Sequence, residues 1–158
     1  MTWKHCLFLL CLLVAVPAAA KEQPKSFTVL PFAVNGPDKY QHLGPGIQDM
    51  LIYRLHWQGH FQPSDKSMTK GLKAPGDEAA AKKTLHTLET DYLIWGSVTV
   101  MGEQCSVDAH VLSSEGDVWP QAAQAPLKEL IPALDGLAKA INGEVFKRPQ
   151  VAQQTVSK

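Results

Sequence analysis

The stretch DYLIWGSVTVMGEQCSVDAHVL, residues 91–112, limits the fold more than any other part of the chain. Tyr92, Ile94, Val98 and Val100 recur at every second position, with Gly96 in the same series. After Gly102-Glu103 the alternation resumes: Cys105, Val107, Ala109 and Val111 are separated by Ser106, Asp108 and His110. A period of two puts each apolar set on one side of an extended strand. The short Gly-containing turn predicts that the two strands pair antiparallel as a hairpin. Such a ribbon has an apolar face that needs a cover, so this segment predicts a sheet with helices packed on it. Gly96 is expected to mark a bulge or a close helix approach.

The flanking sequence supplies the cover. Residues 27–34, FTVLPFAV, read as a nearly all-apolar strand buried on both faces, with Pro31 predicting a bulge or a strand exit. NGPDKY is turn chemistry. A helix is expected behind Gly44, with Pro45 at its first position. Ile47, Met50, Leu51 and Leu55 form its inner stripe, Gln48, Asp49 and Arg54 face water, and Gly59 stops it. A short strand is expected around Phe61, then a polar connection, then a second helix capped by Asp77. VWPQAA is a weak edge strand. The last helix, within 126–146, carries Leu130, Ile131, Leu134, Leu137, Ala138, Ile141 and Val145 as its buried stripe, and Pro132 marks either a kink or the true start. The order is β-α-β-α-β-β-β-α: an α/β single-domain mixed sheet, with parallel pairing across the helices and antiparallel additions at one edge.

The 158-residue chain has no net charge and no basic stripe, which argues against a nucleic-acid partner. Residues 1–20 have a basic start at Lys4, an apolar run from Cys6 to Val16, and Pro17 before Ala18-Ala19-Ala20. That is the pattern of a signal peptide cleaved after Ala20. The run is too short to span a bilayer, so no stable membrane insertion is expected after cleavage. Phe8-Leu9-Leu10 before Cys11 do not suit a lipidation site. The expected location is the periplasm, with an α/β domain over residues 21–147 and a disordered tail or linker over 148–158. Removing the leader leaves only Cys105, which the alternation places on the apolar face as a buried thiol with no disulfide partner.

VLPF (29–32), then Gly46, Asp49, Leu51 and Leu55, then Asp91, Tyr92, Gly96, Gly102 and Gly116 together resemble the N-terminal domain of the TolB type. The likeness covers roughly residues 26–120. It is closest to the version at the start of periplasmic proteins with FG-GAP/VCBS-type repeats. Pro31, Phe32, Gly46, Asp49, Asp91 and Gly96 are the structural motif positions that it implies. Those relatives continue into a β-propeller, whereas no propeller strands occur here up to Lys158, so the propeller's docking on a peptidoglycan-associated lipoprotein is not implied.

Candidate chemistry is sparse. Gly44-Pro45-Gly46 before a helix has the layout of a phosphate-binding turn. A P-loop, however, needs a Lys and a Ser or Thr, and a dinucleotide fingerprint needs three spaced glycines directly after the strand. Neither is present, and Asp49 in the first turn would repel an anion, so no cofactor is expected. His56 and His60 stand four apart, a spacing that can chelate a metal on one helical face, but Gly59 interrupts the helix between them. No G-x-S-x-G elbow occurs and no carboxylates are paired, so no catalytic residues are assigned and the protein is read as a non-enzyme. Trp95, Trp57 and Trp119 are candidate partner-binding aromatics, Trp95 being core if a helix covers its face. An edge strand offers β-addition. The leading reading is a periplasmic protein-interaction or accessory domain whose partner is another envelope protein. Two alternatives stand beside it: a small-ligand or metal-binding periplasmic protein using a cleft near the Gly44–Asp49 helix start, and a truncated remnant of a longer repeat protein.

Overall fold

The computed structural model describes residues 23–149; the leader and cleavage site, and residues 150–158 of the expected tail, lie outside them. Within that range the chain forms β1 (Lys25–Val29), β2 (Ala33–Asn35), α1 (Leu43–Leu55), β3 (Phe61–Pro63), α2 (Glu78–Leu88), β4 (Tyr92–Met101), β5 (Gln104–Ser113), β6 (Val118–Pro126) and α3 (Leu130–Glu144). The six strands make one mixed sheet in the order β3-β1-β4-β5-β6, with β2 also paired to β4. β1 runs parallel to β3 and β4, and β5 and β6 add antiparallel. The expected α/β mixed-sheet class is therefore the one found. The weak edge strand is in fact nine residues long and paired along its whole length with β5.

Residues 27–34 are two strands, not one. Val29 pairs with Ile94 and Ala33 with Ser97, so four steps on one strand oppose three on the other. The extra residue falls at Leu30-Pro31-Phe32, where Pro31 has no N–H to give the ladder. This bulge resets the alternation. Phe27 and Val29 face one core, Leu30 faces the other, and Phe32 returns to the first. There Phe32 lies over Gly96, where a Cβ would stand 2.6 Å from the Phe32 ring and 2.0 Å from the Asp108 carbonyl oxygen. The glycine answers to a ring and a neighbouring strand, not to a helix.

The larger core lies on one face of the sheet. α1 and α3 cover it with Ile47, Leu51, Leu55, Leu134, Leu137, Ala138 and Ile141, against Phe27, Val29, Tyr92, Ile94, Val98, Val107 and Val111. The Arg54–Asp135 ion pair and a 3.2 Å bond from Asn142 Nδ2 to the Arg54 carbonyl hold the two helices together. The opposite face carries a smaller core of Leu30, Ala81, Leu85, Leu88, Leu93, Trp95 and Leu112 under α2. α2 begins as expected, with the Asp77 carboxylate accepting from the Ala80 N–H at 2.7 Å.

Three expectations need correcting. α1 starts at Leu43, so Pro45 sits inside its first turn, where a missing N–H still leaves no bond unmade, and it ends at Leu55. Gly59, at φ +79°, belongs instead to the turn before β3. Gln48 does not face water: it is 1% exposed, and its Nε2 donates to the Val29 carbonyl at 2.7 Å and to Thr69 Oγ1 at 2.9 Å. Ile131 is not in the buried stripe. It is 58% exposed: the buried stripe of α3 centres on Leu130, Leu134, Leu137 and Ile141, and Ile131 lies at its margin in the first turn. Pro132 thus lies in the first turn of α3 and kinks nothing.

Candidate functional site

The three candidate tryptophans do not form one patch. Trp57 stands at the β3 side, its indole stacked on His60 at 4.0 Å, with the Arg148 guanidinium 5.4 Å from the ring centre. Trp119 lies at the far edge on β6, half-buried against the larger core. Trp95 is 6% exposed in the smaller core, so most of its ring is closed to a partner. The histidines also part company. His56 Nε2 faces Gln62 Oε1 at 3.1 Å, while His60 is spent on Trp57. Among the described residues no group of three or more His, Cys, Asp or Glu side chains converges as a metal site.

The motif positions divide in the same way. Pro31, Phe32 and Gly96 meet at the bulge. Asp91 joins the starts of β1 and β4, its Oδ2 accepting from the Ser26 N–H at 2.6 Å and the Ser26 hydroxyl at 2.8 Å. Asp49 lies in the second turn of α1, not the first as expected, and makes a surface ion pair with Lys66. A Cβ at Gly46 would meet nothing within 4 Å. The constrained glycine of the helix start is Gly44, where a Cβ would stand 2.4 Å from the Phe32 carbonyl oxygen. The helix start is thus pressed onto the strand before it, and Gln48 fills the space behind.

Two features can engage another molecule. One is the outer edge of β6. The β5–β6 ladder is bracketed by bonds from Ser113 N–H to the Asp117 carbonyl at 2.9 Å and from Leu127 N–H to the Glu103 carbonyl at 2.7 Å. Antiparallel bonding alternates, so residues 119, 121, 123 and 125 bond inward to β5, while Val118, Pro120, Ala122, Gln124 and Pro126 turn their backbone groups outward. Two of those five are prolines with no N–H to offer. The edge is blunted at both ends, and between the prolines Ala122 and Gln124 are its outward donors.

The other is a cleft of about 440 Å³ on the face that α2 half-covers. Its floor is Trp95, Ser97, Asp108 and His110 from β4 and β5, and its rim is the loop from Ala74 to the α2 cap at Asp77. Trp95 and His110 are cross-strand neighbours, as are Ser97 and Asp108. The His110 ring stacks on the Trp95 indole at 5.2 Å. A wider hollow at the hairpin end, lined by Tyr40, Glu103, Gln104, Leu127 and Lys128, is open and of mixed charge. Cys105 is buried on the opposite face; desolvation raises its thiol above the ordinary 9.0, which disfavours the thiolate.

The paired floor of the cleft comes from the hairpin register, and its signal is present in the alternation of residues 91–112. The roof is not legible in the same way, since Ala74–Asp77 is distant in sequence. No family model matches the chain, and no curated protein matches it. Solved structures do share its fold. TolB from Acinetobacter baumannii superposes with a TM-score of 0.56 at 16% identity over 80% of this chain, which spans 29% of the TolB chain. Lipoprotein GNA1162 from Neisseria meningitidis gives 0.52 at 18% identity, covering 77% of this chain and 99% of that one. The fold is thus TolB-N-like: one mixed sheet with helices on both faces.

Proposed function

We propose that this is a non-enzymatic interaction domain of the cell envelope that holds a partner protein by strand addition at β6. The supporting observation is the edge itself: a nine-residue strand whose outward backbone groups meet no further strand among the described residues. Its likeness in fold to TolB and to a lipoprotein, and the leader-like residues 1–20, favour an exported setting. Among the described residues no helix is long and apolar enough to cross a membrane. The FG-GAP/VCBS context of the resemblance adds nothing to this reading. An extended segment would pair between Pro120 and Pro126, taking the outward bonds of Ala122 and Gln124.

Ala122→Pro tests this directly, because it removes an outward N–H and leaves the bonds to β5 in place. A photoreactive side chain at position 124 is expected to give a discrete adduct in cells, which Ala122→Pro abolishes while the melting temperature stays within a few degrees. An adduct that survives the substitution, or no adduct at all, overturns the β6 assignment.

A further inference from the structure

The cleft beneath the start of α2 has an unspent set of polar groups, and we propose that it binds a pyranose ring of a saccharide. This does not rest on the β6 reading. Trp95 is more than nine-tenths buried, yet its indole N–H is accepted by no described residue. Among the described residues the buried side-chain polar atom left without a partner is Asn142 Oδ1, far from here, so the Trp95 N–H is not fully sealed in the core, and Trp95 is one of the residues that line the cleft. Beside it stand the Ser97 hydroxyl, the Asp108 carboxylate and the His110 ring, none bonded to another described side chain.

The chemistry of this set selects its ligand. Trp95 and Ser97 donate, Asp108 accepts, and His110 does either. A sugar hydroxyl both donates and accepts, so vicinal hydroxyls satisfy such a mixture where a single-sign ion does not. A cation would leave the Trp95 N–H unmatched, and the rim carboxylates are already engaged: Asp77 caps α2 and Glu78 pairs with Lys82. An anion would face Asp108. The His110 ring, backed by Trp95, is a flat wall suited to the C–H face of a pyranose. The volume of about 440 Å³ falls in the span of small-molecule sites, roughly 300–1,000 Å³.

The test is an NMR titration of the indole N–H signals with chitotriose, maltotriose and cellotriose, and with arginine as the cationic probe. The Trp95 signal is assigned by elimination, replacing the other tryptophans with Phe in turn, so that the core residue itself is untouched. At least one trisaccharide is expected to shift the Trp95 signal saturably and leave those of Trp57 and Trp119 in place. Asp108→Ala, a surface change, should weaken that binding about tenfold or more, as loss of a hydrogen bond to a charged group does. A Trp95 signal that no trisaccharide moves, one that arginine moves instead, or a sugar affinity unchanged in Asp108→Ala would each overturn the proposal.

Discussion

The two faces of the sheet are made from the same strands and have opposite fates. On one, Tyr92, Ile94, Val98, Val100, Cys105, Val107, Ala109 and Val111 are all buried beneath α1 and α3. On the other, the same β4 and β5 present Leu93, Trp95 and Leu112 to α2, then Ser97, Thr99, Ser106 and Asp108 to solvent. Three helices and two faces leave one half-face over, and the side chains change from large apolar to small polar beyond the N-terminal start of α2. Stability is expected to concentrate on the closed face and binding on the half-open one, since a site needs surface that the core does not consume.

The sharpest way to break this division is to cut one leucine on each side. Leu134 lies at the centre of the closed face, and Leu134→Ala should cost ~2–5 kcal/mol. Leu85 belongs to the smaller core, whose rim is open to water, so the site left by Leu85→Ala relaxes or hydrates more readily, and its cost should fall near ~2 kcal/mol. Denaturant midpoints of the two variants decide the matter. Equal losses would mean that α2 contributes as much as α1 and α3, and the asymmetry would go.

A second, smaller effect probes how dry the closed face is. Burial raises the Cys105 thiol above 9.0, so the folded chain keeps a proton that the unfolded chain releases. Its contribution to stability is complete below the unfolded value and is lost as pH rises from about 9 through the folded value. Wild type should therefore lose stability against Cys105→Ala only above that point, by at most ~1.4 kcal/mol per unit of pKa shift. Parallel stability–pH curves, or rapid labelling of the thiol by a bulky maleimide at neutral pH, would show that the face is wetter than described.

Much of this fold is legible in the residues because the signals are local. The hairpin, the burial of Cys105 and the Asp77 cap each come from a few neighbouring positions. Sequence and structure part where a single position departs from the pattern around it. A single extra residue at Pro31 sends Phe32 back to the larger core. Ile131, in the first turn of α3, lies at the margin of the buried stripe and faces solvent. Gln48 has the character of a solvent residue, since its type gives no sign of the Val29 carbonyl and Thr69 hydroxyl that receive it. The candidate cleft is half legible: Trp95, Ser97, Asp108 and His110 are set side by side by the hairpin register, while the roof that makes them a cleft comes from the loop before α2.

The smallest expected effect tests the open half-face. Thr99→Val keeps the β-branched shape that suits a strand and removes only the hydroxyl, which is half-exposed and accepts a long 3.4 Å bond from Asn35 Nδ2. If this part of the sheet is solvated, water replaces that bond and the change should stay within ~0.5 kcal/mol, as surface substitutions do. A larger loss would mean that the hydroxyl is held in a dry contact in solution. No described element lies over Thr99, so the cover would have to come from a second copy of the chain or from residues outside 23–149. Protein concentration separates the two, because an intermolecular cover makes the melting temperature rise with concentration and an intramolecular one does not.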